Sequence, residues 1–210
     1  MATRQVSVGD DPQSGGVKLG AEVLASGGIV VYPTDTLYGL GVDPTRKAAV
    51  DRLCRLKQRP IGAGLPLIAA NLTQVEFCLG VVPPLGRRLC ERFWPGPLTL
   101  VFTPRRYLVT GVCAVDGSVA VRVPRCAVAC RLAELGGQPI TATSANLAGE
   151  APATTAMAVA SQLALKVDLV LEAEGPLSGA ASTIVDVRGV HPVLIRKGAV
   201  AWDRVLQSLE

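Results

Sequence analysis

The sequence predicts one α/β domain over residues 1–210, and three observations support this. The chain has 210 residues, of which 49% are hydrophobic and 18% charged, so it can bury a sizeable core. Short apolar runs alternate with stretches of helical period along nearly its whole length. No internal repeat, low-complexity segment or long Gly/Ser linker divides the chain.

In the first half of the chain, helices and strands alternate in a regular order. A helix over 17–26 ends at Gly27-Gly28, and the β-branched run 29–32 that follows is predicted to be a buried strand. A loop occupies 33–41. The remaining elements are helices over 46–57, 73–80 and 85–94, the last entered through Pro83-Pro84, and strands over 65–70 and 98–102.

The second half continues this alternation. A helix over 127–135 ends at Gly136-Gly137, and two more helices are predicted over 154–165 and 202–209. The predicted strands are short apolar runs over 119–123, 140–142, 169–171, 183–187 and 193–195. Residues 175–182 have the composition most typical of a flexible segment.

The net charge of +4 is unevenly distributed along the chain. Residues 46–131 contain 14 Lys/Arg and 4 Asp/Glu, whereas 1–45 contain 2 and 5, and 132–210 contain 5 and 8. Half of the central surplus lies in 46–59. A basic segment suggests an anionic partner such as nucleotide phosphates or nucleic acid, with a solvated helix surface as an equal alternative. The rest of the surplus lies around Arg87, Arg88, Arg92, Arg105 and Arg106. It suits a solvated face or a surface that binds RNA.

The cysteines and the histidine exclude several kinds of site. Six cysteines occur without a CxxC pair, and the chain shows neither a secretory signal nor the roughly 20 apolar residues that span a membrane. We therefore expect a reduced, cytoplasmic protein without a membrane partner, in which Cys54 and Cys90 are core thiols. The one histidine, His191, lies beside a proline in a predicted turn, which disfavours a zinc site and histidine-based catalysis. Substrate positioning and electrostatics are the expected means of catalysis.

Two polar stretches in the first third of the chain follow a strand or helix where α/β proteins place ligand sites. Residues 33–41 carry two threonine hydroxyls and a carboxylate, with Gly39 and Gly41 allowing close backbone approach or a positive φ. Lys57 ends a helix on its inward face, and Arg59 follows it, so two cations at a pocket edge suit phosphates or a carboxylate. A capped turn and cations at a helix C-terminus explain the same residues without a ligand.

Two further stretches lie in the second half. Residues 141–146 form a hydroxyl-rich strand end closed by the amide of Asn146, which suits phosphate oxygens, ribose or a turn cap. Ser182-Thr183 and residues 196–198 each border a short strand, which suits a phosphate contact or a surface hairpin. Neither a Walker A motif nor G-x-G-x-x-G is present, so a nucleotide would bind outside both common loops.

Taken in order, these stretches resemble the YrdC-like family, the L-threonylcarbamoyladenylate synthases. The matching segments are GGIVVYPTDTLYGLG (27–41), LKQRP (56–60), GLPLIAAN (64–71), RFWPGPLTLVF (92–102), VAVRVP (119–124), TSANLAGEAPATT (143–155) and STIVDV with LIRKGAV (182–187, 194–200). The resemblance implies a twisted sheet of mixed parallel and antiparallel strands, flanked by helices, with a concave basic cleft and a core of about 17–200. The chain looks like the short, single-domain bacterial form.

The resemblance also implies an activity, the condensation of L-threonine, bicarbonate and ATP into threonylcarbamoyl-AMP and pyrophosphate. Partner proteins would then transfer the threonylcarbamoyl group to adenosine 37 of tRNA. Positioning and charge neutralisation dominate such adenylyl transfer, so the lack of histidine pairs is expected. Mg²⁺ would bind mainly through the ATP phosphates.

The family's KxR and SxN signature falls on Lys57, Arg59, Ser144 and Asn146. By this resemblance, Lys57 and Arg59 hold the phosphates and the carboxyl-derived charge, while Ser144 and Asn146 contact threonine and nucleotide. The other implied contacts are Thr34, Arg122 and Ser182 for threonine, and Arg196, Ser118 and Thr154 for the nucleotide. Many relatives carry a histidine after Pro66-Leu67, but this chain reads Ile-Ala-Ala there, so a histidine role is not expected.

Two alternatives belong to other classes of function. The basic middle segment would suit a module that binds tRNA, ribosomal RNA or other double-stranded RNA, with an affinity that falls steeply with salt. Carbamoyl transfer to another acceptor is the second, since related domains occur in hydrogenase-maturation proteins. The missing zinc-finger and acylphosphatase-like segments count against it.

Overall fold

The computed structural model describes residues 3–60, 62–104, 108–146, 150–151, 153–163 and 166–210, apart from the side chains of residues 78, 79 and 160. Its helices are α1 (Gly15–Ala25), α2 (Lys47–Leu56), α3 (Leu72–Leu79), α4 (Pro84–Phe93), α5 (Ala127–Leu135), α6 (Ala156–Leu163) and α7 (Trp202–Gln207). Its strands are β1 (Arg4–Ser7), β2 (Val30–Tyr32), β3 (Gly39–Gly41), β4 (Leu67–Ile68), β5 (Leu98–Phe102), β6 (Val119–Arg122), β7 (Ile140–Thr141), β8 (Thr143–Ser144), β9 (Leu169–Glu172), β10 (Thr183–Asp186) and β11 (Val193–Arg196).

These strands form two sheets of mixed direction. A five-stranded sheet has the order β1-β9-β2-β3-β8, and a six-stranded sheet has the order β11-β10-β5-β6-β4-β7. Strands β1 and β2 lie parallel to β9, while β2-β3 and β3-β8 are antiparallel. The predicted α/β class with mixed strands and flanking helices is confirmed, and the strands divide between two sheets. The basic character of the cleft stays a prediction.

Three strands were not predicted, and all three are short or lack a clear apolar pattern. Strand β3 lies inside the predicted loop 33–41, and β8 follows β7 after one residue. Strand β1 lies before the predicted core of 17–200 and pairs with β9. The predicted helix over 154–165 begins at Ala156, and its predicted end at Leu165 lies outside the described residues.

Apolar side chains from both sheets form the core. The larger cluster joins Leu40 of the five-stranded sheet and Leu100 of the six-stranded sheet to Leu53 of α2 and Leu89 of α4. A smaller cluster packs α1 and α5 against the other face of the five-stranded sheet. The other face of β5, β6 and β10 lies outside the larger cluster, and its polar side chains become the floor of the site described below.

The glycines of β3 make room for an aromatic ring. A Cβ on Gly41 would lie 2.8 Å from Cε1 of Tyr32, and a Cβ on Gly39 would lie 3.1 Å from its Cζ. The hydroxyl of Tyr32, a fully buried residue, donates a hydrogen bond to the carbonyl of Thr141 at 2.8 Å. Neither glycine has a positive φ, so that part of the expectation for this stretch is wrong.

Part of the basic surplus of residues 46–131 is paired with the acidic flanks. Four of its arginines form ion pairs with flanking carboxylates: Arg46 with Asp43, Arg52 with Asp168, Arg122 with Asp35 and Arg131 with Glu134. Charge that is segregated along the sequence is therefore partly interleaved in the fold, and an anionic partner for the remaining surplus stays a prediction. Arg105 and Arg106 lie outside the described residues.

We predict that Gly41→Ala destabilises the fold, because the new methyl group must displace the buried Tyr32 ring. Overpacking of this kind costs about 1–3 kcal/mol. Gly15→Ala is the matched control, since no heavy atom lies within 4 Å of its Cβ position and its site is exposed. Urea unfolding of both variants measures the difference, and equal midpoints would contradict the packing described for β3.

Candidate functional site

A row of side chains crosses the six-stranded sheet and forms the floor of a cavity. Strand pairing places Ile184 beside Thr99 and Arg196 beside Ile184. Leu100 pairs with Val121, so the same register places Thr99 opposite Arg122. Neighbouring side chains alternate between the two faces of a sheet, so these four share the face opposite the larger core cluster. All four line a cavity of about 290 Å³.

The loop between β2 and β3 forms a second wall of the cavity. The hydroxyl of Thr34 accepts hydrogen bonds from the backbone N–H groups of Thr36, at 3.1 Å, and Leu37, at 3.2 Å, and donates to the Leu37 carbonyl at 2.7 Å. Both threonines are buried and line the cavity. Thr34 therefore fixes the turn, as the capping alternative predicts, and also lies at the predicted site.

Arg122 connects this loop to the floor through a buried ion pair. Its Nη1 donates to Oδ1 of Asp35, and its Nη2 donates to the hydroxyl of Thr36 at 3.2 Å. The side chains of Arg122 and Asp35 are 8% and 13% exposed. Breaking one side of a buried pair of this kind costs about 3–5 kcal/mol, because the remaining charge loses its partner.

Lys57 lies where the helix period predicts, at the inward-facing end of α2. Its ammonium donates to the carbonyls of Ser144 and Asn146, at 3.0 and 2.5 Å, and to Oδ1 of Asn146 at 2.9 Å. Burial lowers the pKa of Lys57 to about 8, and the charge of Arg59 acts in the same direction. Lys57 and Asn146 lie beside the cavity rather than in its lining, and Ser144 connects them to it.

Ser144 and Asn146 form a small network at the end of β8. The Ser144 hydroxyl donates to Oδ1 of Asn146 at 2.6 Å, and the Asn146 amide donates to the carbonyl of Glu150 at 2.6 Å. Ser144 lines the cavity. The KxR and SxN segments, which lie more than 80 residues apart in sequence, therefore meet through the Lys57 ammonium.

Arg59 reaches the cavity because the chain turns sharply after α2. Gln58 has a φ of 47°, in the left-handed region, and places Arg59 toward the following loop. The guanidinium donates to the carbonyls of Gly64, at 2.6 Å, and Ala63, at 3.0 Å. Burial lowers the pKa of Arg59. Since Arg59 still lines the cavity, it places a fixed positive charge at the rim.

Arg196, Ser182 and Thr99 form a connected group at the other end of the floor. The Arg196 guanidinium donates to the carbonyl of Ser182 at 2.8 Å and to its hydroxyl at 3.1 Å. The Ser182 hydroxyl also lies 2.8 Å from Oγ1 of Thr99. Burial lowers the pKa of Arg196, and the charge of Arg122 acts in the same direction.

Gly198 allows this group to form. A Cβ at this position would lie 2.4 Å from the Ala181 carbonyl oxygen and 2.4 Å from the Ser182 carbonyl carbon. The backbone N–H of Ala199 donates to the Ala181 carbonyl at 2.8 Å. Residue 198 must therefore be glycine for the segment after β11 to lie against Ser182.

Two predicted nucleotide contacts, Ser118 and Thr154, are not among the described residues that line the cavity. Ser118 closes a turn with Asp116, whose carboxylate accepts from its backbone N–H at 3.0 Å. The Thr154 carbonyl accepts from the N–H of Leu177 at 2.9 Å. The segment 175–182 is held against the β2–β3 loop, since the Ser178 hydroxyl donates to the Asp35 carbonyl at 3.1 Å.

Sequence reasoning did not single out Thr99 or Ile184, and it named Gly198 only as part of the stretch 196–198. Thr99 had one available signal, since it is the only polar residue in the buried strand LTLVF. Asp35 and Thr36 were predicted to orient a small polar ligand or to cap a turn, and their contact with Arg122 was not predicted. Among the described residues, no three His, Cys, Asp or Glu side chains are placed to hold a metal ion. No helix in the same part of the chain is long and apolar enough to cross a bilayer.

Comparisons with known proteins identify the family of the chain. A model of the Sua5/YciO/YrdC family, described as "Telomere recombination", matches residues 22–198. A threonylcarbamoyl-AMP synthase of Pyrococcus abyssi is 33% identical over 189 residues, which are 90% of this chain and 56% of that protein. A threonylcarbamoyl-AMP synthase of Nitrosococcus oceani is 36% identical over 155 residues, 74% of this chain and 84% of that protein.

A solved structure extends the likeness to the whole fold. The structure of P. abyssi Sua5 complexed with L-threonine aligns with a TM-score of 0.89 and 30% identity, covering 100% of this chain and 61% of that one. The chain therefore spans little more than half the length of these archaeal relatives. On the family model and the relatives together, the chain belongs to the Sua5/YciO/YrdC family.

Proposed function

We propose that the chain is a nucleotidyltransferase that makes threonylcarbamoyl-AMP and pyrophosphate from L-threonine, bicarbonate and ATP. The contact of Lys57 with Ser144 and Asn146 carries the proposal, because it brings the KxR and SxN segments together beside a cavity lined by arginines and hydroxyls. The relatives named threonylcarbamoyl-AMP synthase and the Sua5 structure complexed with L-threonine support it.

In this proposal, L-threonine binds over the middle of the cavity floor. Its carboxylate pairs with Arg122, whose Nε and remaining N–H groups are not used by Asp35 and Thr36. Thr34 and Ser182 lie on two sides of this position and contact the amino acid. Because Asp35 already balances the charge of Arg122, the subsite suits a zwitterion, whose net charge is zero.

The ATP phosphates bind toward two of the arginines that line the cavity. Arg59 and Arg196 both line it, and Lys57 adds a positive charge behind Ser144. No carboxylate appears among the described lining residues, so Mg²⁺ would enter with the phosphates and neutralise part of their charge. The residues present fit this arrangement, since hydroxyls, arginines and a lysine are phosphate ligands.

The chemistry then needs two steps that the bound geometry favours. After the ammonium of bound L-threonine loses a proton to solvent, the free amine attacks the carbon of bicarbonate, forming a C–N bond and releasing water, to give the carbamate. A carbamate oxygen attacks the α-phosphorus of ATP, and the bond to the β-phosphate oxygen breaks to release pyrophosphate. Holding the reactants together and neutralising phosphate charge supply most of the rate enhancement. The product would pass to downstream proteins that modify tRNA, and a cytoplasmic location stays a prediction.

We predict that pyrophosphate release by the purified chain requires L-threonine, bicarbonate and ATP together with Mg²⁺. Lys57→Ala and Arg59→Ala should each lower turnover about 100-fold or more, the usual loss when a charge-stabilising donor is removed. Lys47→Ala on the same helix is the control, since Lys47 is exposed and pairs only with Asp51 in the described contacts. Circular dichroism would verify that all three variants fold. Release without L-threonine, or near-normal turnover in both site variants, would refute the proposal.

We also predict a pH dependence that arises from Lys57. An ammonium with a lowered pKa carries its charge below that pKa, so the positive charge is lost as the pH rises through about 8. At saturating L-threonine and bicarbonate, the kcat/KM for ATP reports the enzyme form that binds ATP, and it should therefore fall above this pH. The same profile in Lys57→Met should lack this descending limb. A limb that persists in Lys57→Met would assign it to another group.

A further inference from the structure

The centre of the cavity floor is formed by Thr99 and Ile184, to which neither the motifs nor the comparisons give a role. Thr99 stands opposite Arg122 in the register of β5 and β6, and Ile184 stands beside Thr99 on β10. Directly opposed residues on one face have Cβ atoms about 4.5–5.5 Å apart. Arg122, Thr99 and Ile184 line the same cavity, so a ligand held by Arg122 lies near both other residues.

Thr99 is an unusual residue for its position. It is 4% exposed, and all five residues of β5 are buried. Burying a hydroxyl is costly unless it forms hydrogen bonds, and a valine of the same shape would avoid that cost. A threonine in the middle of this strand therefore indicates that its hydroxyl has a partner or a ligand.

The hydrogen bonds around Thr99 leave one proton available for a ligand. The hydroxyls of Thr99 and Ser182 lie 2.8 Å apart, and Nη2 of Arg196 donates to the Ser182 oxygen at 3.1 Å. Two hydroxyls carry two protons, and their mutual bond uses one of them. Neither hydroxyl has another partner in the described part of the chain. The second proton and a free lone pair are thus available to a group in the cavity.

We propose that Thr99, held by Ser182, recognises the side-chain hydroxyl of the amino-acid substrate, and that Ile184 contacts its methyl group. This inference rests on the proposed function and deepens it, because it names the residues that select threonine among amino acids. Ile184 is half-buried and offers the apolar surface that a methyl group needs. Serine lacks the methyl group, and valine lacks the hydroxyl.

The size of the expected selectivity follows from what each substrate leaves unsatisfied. With valine, the pair of buried hydroxyls keeps an unused proton, and sites built to bind a hydroxyl reject analogues without it by up to about 10⁴-fold. With serine, only the methyl contact is lost, and a missing methyl group costs about 10–200-fold. The proposed subsite therefore discriminates against valine more strongly than against serine.

The test compares kcat/KM for L-threonine, L-valine and L-serine at saturating ATP and bicarbonate, by pyrophosphate release. Thr99→Val should lower the threonine-to-valine ratio at least about 10-fold and leave the KM for ATP unchanged. Thr99→Ser, which retains the hydroxyl, is the matched control and should keep that ratio within about 3-fold of the wild type. An unchanged ratio in Thr99→Val would overturn the inference.

Ile184→Ala provides a second, independent variant at a half-buried position. It should lower the threonine-to-serine ratio about 10-fold, because the methyl contact is removed from one substrate only. If Thr99→Val fails to fold, calorimetry on the wild-type protein can instead compare its affinities for L-threonine and L-valine. Equal affinities would overturn the inference. A preference for L-threonine without any pyrophosphate release would support the subsite and refute the proposed function, so the two failures are distinguishable.

Discussion

The buried ion pair between Arg122 and Asp35 is the interaction on which the site depends. It joins the loop after β2, which belongs to the five-stranded sheet, to the end of β6 in the six-stranded sheet. One oxygen of Asp35 is buried without a hydrogen-bond partner in the described structure, so the pair is not fully satisfied. Since a charge without its partner is costly at this depth, the loop and the floor are held in one relative position.

The remaining contacts extend this arrangement outward. Thr36 attaches the loop to Arg122. Ser178 attaches the loop to the segment before β10. Lys57 reaches across from α2 to fix the end of β8. Its ammonium is surrounded by neutral oxygens, which leaves its positive charge uncompensated among its hydrogen-bond partners. Fixed charges and hydroxyls around a cavity suit a reaction in which positioning supplies most of the rate enhancement.

Apolar pattern was sufficient to predict most of the fold, because long helices and β-branched runs have clear periods. Strands β3 and β8 were missed because their sequences, GLG and TS, lack the apolar runs that predicted β2 and β4. The helix period also predicted that Lys57 faces inward, which the structure confirms. Thr99 and Ile184 could not be found in this way, because their meeting with Arg122 depends on which strands pair and in which register. Asp35 resembled an ordinary turn residue, and its partner lies 87 residues later.

The alternative function, in which the basic middle segment binds RNA, stays a prediction.

The order of strands has a consequence for how the protein is made. Strand β1 has β9 as its neighbour, so Arg4 meets Leu169 in the register of that pair. Strand β5 likewise has β10 beside it, where Leu98 meets Thr183. Domains fold during synthesis as their segments emerge from the ribosome, and pairings between distant segments form slowly. Strand β1 must therefore wait for the synthesis of β9 before it gains this neighbour, which leaves a long interval in which chaperones can act on it.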